Sequence, residues 1–181
     1  MGGRTVAKFV FAMNVSLDGY VDHDRFAPDA ALFQHWTHAV RQVKASIYGR
    51  KIYEIMRYWE ADQPDWGPAE QDFAAAWRAQ RKWVVSRTLT RVGPGATLVA
   101  GDVETAVRAL KVQLSGEVDV SGTVLAHALG QMGLIDEYRL YWHPVVLGGG
   151  KPFFAGARPK LRLTGSDRIG PEVIRLTYVP A

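Results

Sequence analysis

Residues 47–56 read IYGRKIYEIM. An apolar pair, Ile47 and Tyr48, stops at Gly49, two cations follow as Arg50 and Lys51, and Ile52 to Met56 reads as a short helix. A buried strand that breaks at glycine and passes straight into a helix is a unit of a mixed α/β sheet. The junction also has chemical content. A helix start leaves backbone N–H groups unpaired and carries a partial positive charge. Glycine there lets an anion reach the backbone, and Arg50 and Lys51 add full charges. For this stretch alone, a phosphate cradle and a plain tight turn with solvated cations both stand.

Two further junctions are of the same kind. Ser86-Arg87-Thr88 follows the apolar run WVV. Hydroxyls and a guanidinium at a strand end suit a phosphate monoester, which arginine grips through two parallel N–H bonds. Ser121-Gly122-Thr123 lies between VDV and VLAHAL. Small residues there expose N–H groups to an anion such as a pyrophosphate, although the G-x-G-x-x-G pattern is missing. A polar strand exit at Ser86 and a structural N-cap at Ser121 or Thr123 are the plainer alternatives. Three strands leaving a sheet through small or cationic residues are what an extended nucleotide across the strand ends requires.

Along the chain, strands and helices alternate. Residues 5–13 (TVAKFVFAM) read as a buried strand, and Asp29 to Val43 as a helix with Leu32, Phe33, Trp36, Val40 and Val43 on one face. Strands are expected at 45–48, 82–86, 96–100 and 117–121, and helices at 51–57, 69–80, 103–114 and 124–132. DEYRLYWHPVVL (136–147) reads as one long strand or two, and the tail as a terminal hairpin about a glycine turn. The fold class is therefore α/β: one domain over 1–181, with a mixed, mostly parallel sheet, helices on both faces and a C-terminal β-hairpin.

Composition narrows the function. The chain has 181 residues and no cysteine, so disulfides, thiol nucleophiles and cysteine metal sites are excluded. The formal charge is +4 with Lys and Arg scattered, which disfavours nucleic-acid binding. The basic start MGGRTVAKFVFAMNV is broken by Lys8 and is no convincing signal peptide. No apolar run approaches the roughly 20 residues of a membrane helix, so a cytoplasmic protein is expected. The histidines show no telling spacing with carboxylates, though His35 and His38 lie three apart, and no metal is expected.

MNVSLDGYVD, YGRKIYE, WVVSRTL, VSGTVLAHAL and GLIDEYRLYWHPVVLGGGKPFF stand in the order seen in the dihydrofolate-reductase-like superfamily. Over about Phe9 to Tyr178 the chain resembles most the branch named for the reductase domain of the bifunctional riboflavin-biosynthesis deaminase/reductase, in its small stand-alone bacterial form. The resemblance implies a dihydrofolate-reductase-like sheet, NADPH as hydride donor and a homodimer. It places Gly49, Arg50 and Lys51 at a phosphate, Ser86 and Arg87 at the adenosine 2′-phosphate, and Ser121, Gly122, Thr123, Val124 and Leu125 under pyrophosphate and nicotinamide. Asn14, Val15, Ser16, Leu17, Asp18 and Gly19 match the segment that closes on nicotinamide and substrate. Dihydrofolate reductases proper carry two adjacent glycines in the third loop; here Gly122 follows Ser121, and folate is not the substrate implied.

Hydride transfer needs no protein nucleophile, but the acceptor must gain a proton. Asp18 is the first candidate to orient or protonate substrate, with a turn-former as its alternative; Asp29 is the second, with helix-start stabilisation as its alternative. Val15 is expected against the cofactor, and Asn14, Ser16, Asp18, Gly19, Tyr53, Gly149 and Lys151 around a small-molecule substrate. Trp59 and Trp66 would wall a planar substrate or serve the core, and His143 reads as structural. Three functions follow: an NADPH-dependent reductase of a heterocyclic or carbonyl/imine substrate, the pyrimidine reductase of riboflavin biosynthesis, or a non-catalytic nucleotide-binding module on the same fold.

Overall fold

The computed structural model describes residues 6–181. The chain runs β1 (Lys8–Ser16), α1 (Ala30–Gln42), β2 (Ala45–Gly49), α2 (Arg50–Met56), α3 (Pro68–Ala79), β3 (Lys82–Val85), β4 (Ala96–Val99), α4 (Val103–Gln113), β5 (Glu117–Ser121), α5 (Thr123–Gln131), β6 (Glu137–His143), β7 (Leu161–Ile169) and β8 (Val173–Pro180). All the strands join one sheet in the order β4-β3-β2-β5-β1-β6-β8-β7. The first six pair in parallel; β8 runs antiparallel to β6, and β7 antiparallel to β8.

The expected elements are present, and the differences lie at their ends. Thr5, the expected start of the first strand, lies outside the described residues. That strand continues to Ser16 rather than stopping at Met13, because Asn14 and Ser16 still pair with Tyr141 and His143 of β6. β6 stops at His143, so the apolar run after Pro144 is a loop and not more strand. Helix starts follow local chemistry. The Asp29 carboxylate accepts from the Leu32 N–H at 2.7 Å, and Pro68 opens α3 where its missing N–H costs nothing.

The two faces of the sheet differ in kind. Under α4 and α5, Phe9, Phe11 and Val15 of β1 meet Val118, Val120, Ile47, Leu110, Leu125 and Leu129 in one apolar core. Each large side chain fully buried there contributes about 1.5–3 kcal/mol. The opposite face is polar at its middle. Lys82, Ser46, Asp119, Val10 and Glu137 lie side by side on successive strands. α1 and α3 cover this face: Leu32 and Trp36 pack on Tyr141, while the Trp77 indole donates to the Tyr48 hydroxyl at 3.0 Å.

Candidate functional site

In a parallel α/β sheet, ligands lie beyond the C-terminal strand ends. Here β3, β2, β5 and β1 are consecutive in the sheet, so the three sequence junctions and the Asn14–Asp18 segment stand in a row. The middle two touch. Gly122 has φ +111°, a backbone that side chains rarely adopt, and a Cβ there would meet Ile52 Cγ2 at 3.2 Å and the Gly49 backbone at 3.7 Å. A Cβ on Gly49 would meet the Leu125 Cβ at 3.5 Å. The paired glycines let the ends of β2 and β5 pack closely, backbone beside backbone.

The side chains along this row divide by what they already hold. The Ser86 hydroxyl oxygen accepts from the Thr88 and Leu89 N–H groups at 3.1 and 3.0 Å and shapes its own turn. Arg87 is exposed and, among the described residues, forms no ion pair. Arg50 reaches Glu54 on its own helix at 3.1 Å, and Lys51 is exposed. Thr123 and Val124 form the first turn of α5, Val124 being largely exposed, while Leu125 turns into the core. Val15 is fully buried in the apolar core, so only its backbone is offered to the site.

Two loops are laced together at the rim. The Asp18 carboxylate accepts from the Ser16 hydroxyl at 2.6 Å, the Leu147 N–H at 3.1 Å and the Gly148 N–H at 2.7 Å. Asp22 accepts from the Lys151 N–H at 2.7 Å, and Phe153 N–H donates to the Gly19 carbonyl at 3.0 Å. Gly19 (φ +91°) makes the turn this lacing needs, and Gly149 and Lys151 are exposed on the partner loop. The Ser16 hydroxyl, chiefly, and the two amides hold the Asp18 carboxyl below its ordinary value. So committed, the Asp18 carboxylate ties the two loops of the rim together. Asp29 is the N-cap of α1, the plainer of its two expected roles.

Tyr53 also departs from expectation. It is buried against Tyr48 and Val84, and its hydroxyl accepts from the Gly93 N–H at 2.7 Å. The face of α2 toward the ligand region is instead that of Ile52 and Met56, which line a cavity of about 270 Å³ beneath α1. Asn14 lines it, and so do Phe33, Trp36 and Asp119, which sequence reading did not single out for a site. Trp59 packs on Trp66 with ring centroids 5.0 Å apart and on Phe73 at 4.7 Å, so the two indoles belong to packing. His143 is buried against Phe26, and burial holds its imidazole below the ordinary value. Among the described residues, no cluster of His, Asp and Glu is placed to hold a metal ion, and no helix is long and apolar enough to cross a membrane.

Strand order, the row of parallel strand ends and a cavity under the first helix define the dihydrofolate-reductase-like class. The RibD C-terminal domain model matches residues 7–175, and the chain belongs to that family. The chain is 25% identical over 179 residues to the uncharacterized protein YyaP of Bacillus subtilis, covering 94% of each. A protein of Shewanella sp. PV-4 assigned to riboflavin biosynthesis superposes with a TM-score of 0.73 at 21% identity, over 96% of this chain and 99% of that one. Dihydrofolate reductase from Enterococcus faecalis, complexed with NADP(H), superposes with a TM-score of 0.62 at 12% identity, over 96% of each chain. At these identities the solved structures speak for the fold alone.

Proposed function

We propose that the chain is an NADPH-dependent oxidoreductase that delivers a hydride to a small heterocyclic or carbonyl/imine substrate in the cavity beneath α1. The observation that carries this is the row of parallel strand ends, with the Gly49 and Gly122 junctions packed together and Arg87 exposed at one end. The cradle fits a phosphorylated dinucleotide, since small residues stand at the ends of β2 and β5 and the exposed cations Lys51 and Arg87 flank them. When bound, the nicotinamide supplies the hydride. The chain supplies position. Backbone around Gly49 and Gly122–Thr123 holds the pyrophosphate, Arg87 the 2′-phosphate, and Asn14, Phe33, Trp36, Ile52 and Met56 the substrate.

Tryptophan fluorescence titration with NADPH and NADH tests this. Saturable NADPH binding is expected, and Arg87→Ala should weaken NADPH about tenfold while changing NADH little, since only NADPH carries the 2′-phosphate. Absence of saturable binding for both nucleotides sinks the proposal.

Family membership favours a second reading, the pyrimidine reductase of riboflavin biosynthesis. Its substrate carries a phosphate, for which Lys151 and Arg158 on the exposed loop after β6 are the available cations. Direct turnover of the aminopyrimidine phosphate with NADPH decides between the two.

A further inference from the structure

We infer that the inner end of the cavity beneath α1 is a recognition subsite for a compact cationic or N–H-rich group, such as an ammonium or amidinium, and that Asp119 is the side chain that reads it. The inference rests on the reductase reading only in taking this cavity as the substrate's.

Asp119 stands in the middle of the sheet, flanked by Val10 and Ser46 on the neighbouring strands, and α1 lies over it. It is nonetheless only half-buried, because it faces the cavity. One oxygen, Oδ2, accepts from the Ser121 hydroxyl at 2.6 Å; among the described residues, Oδ1 takes no hydrogen bond.

The charged groups of the cavity wall nearest it are already paired with one another. Arg139 holds Glu117 through two bonds at 2.6 and 2.7 Å and Glu137 through a third at 2.6 Å. Lys8 meets Glu137 at 2.6 Å. These two cations and two acids cancel. Lys82, farther along the same row, gives its protons to the Arg78 and Gln80 carbonyls. From α1 the wall is Phe33, Trp36, Ala39, Val40 and Val43, none charged. Among the described residues Asp119 is thus the acid of the cavity wall that has no ion-pair partner.

An anionic group placed there would meet the Asp119 carboxylate and an Arg139 already engaged by Glu117 and Glu137, whereas an amidinium would find an acceptor oxygen and a counter-charge together. Asn14 Oδ1 and Trp36 Nε1, both in the cavity wall, are buried without a partner among the described residues, which fits a chamber that is completed by a polar ligand. A phosphate-bearing substrate must keep its phosphate outside. The selected class is a small planar or apolar body with one nitrogen-centred donor directed inward.

The probes are benzamidine, its uncharged analogue acetophenone and the anion benzoate, titrated into the full chain and followed by the Trp36 indole N–H resonance. Benzamidine is expected to bind at least tenfold more tightly than acetophenone, with benzoate weakest. Asp119→Asn should erase the preference. A preference that survives Asp119→Asn, equal affinities in the parent, or an unmoved Trp36 resonance overturns the proposal. Should Asp119→Asn fail to fold, Ala39→Leu narrows the chamber without touching charge; benzamidine binding unchanged in that variant overturns the proposal equally. NADPH titrated into the same samples separates the two ideas. Lost nucleotide binding with an intact amidine preference sinks the reductase reading alone.

Discussion

Asp119 and Asp18 show how environment sets the behaviour of one residue type. Burial pushes the Asp119 carboxyl up to about 6 from 3.8. As pH rises from 4 to 6 the unfolded chain gives up this proton first. Stability therefore falls across that window, and the penalty is complete above about 6, on the order of 2–3 kcal/mol. Denaturant titrations at pH 4 and pH 7.5 should show Asp119→Asn gaining stability over the parent at the higher pH and nothing comparable at the lower. A pH-independent difference would mean the carboxyl is not penalised in the fold. Asp18 has the opposite sign: its lowered value stabilises the fold above the ordinary carboxylate range and is lost on acidification. In the sequence, Asp18 draws attention because Asp-Gly follows a strand. Asp119 does not, because EVDVS alternates like any strand with an outward polar face. Alternation reports that two faces differ; it is silent on whether a helix covers the polar one.

At the scale of elements, the glycine contact between β2 and β5 is the sharpest geometric demand in the site. Gly122→Ala forces a side chain into a positive-φ backbone and against Ile52, at a cost of about 1–3 kcal/mol. Gly49, with ordinary φ and contacts no closer than 3.5 Å, should accept alanine for less than about 1 kcal/mol. Thermal melts of the two variants check this; equal losses would contradict the asymmetry. Helix and strand identities were legible from apolar spacing alone, as were the junctions at Gly49, Ser86 and Ser121. The lacing of 16–22 to 147–153 was not. Its partners, such as Asp18 and Gly148, are brought together only because β1 and β6 are neighbours, and no local pattern encodes that. Nor could sequence tell which side of α2 lines the cavity: Ile52 and Met56 do, while Tyr53 packs with Tyr48 and Val84.

Across the whole molecule, β8 is inserted between β6 and β7 rather than lying at the edge. The terminal hairpin was readable from its turn, but its insertion order was not, since either strand of a hairpin can pair inward. Val173 of this hairpin packs with Leu32 and Tyr141, so the tail also completes the α1 side of the fold. Deleting residues 160–181 would bare the hydrogen-bonding edge of β6. Size-exclusion chromatography of that truncation is expected to show aggregate rather than monomer; a soluble, cooperatively melting product would refute it. The same insertion governs how the chain is made. On a ribosome adding about 5–20 residues per second, β6 (Glu137–His143) emerges seconds before its permanent neighbour β8 (Val173–Pro180) exists. During that interval β6 presents an unpaired hydrogen-bonding edge, and the order of synthesis leaves the sheet open to edge-to-edge mispairing until β8 arrives.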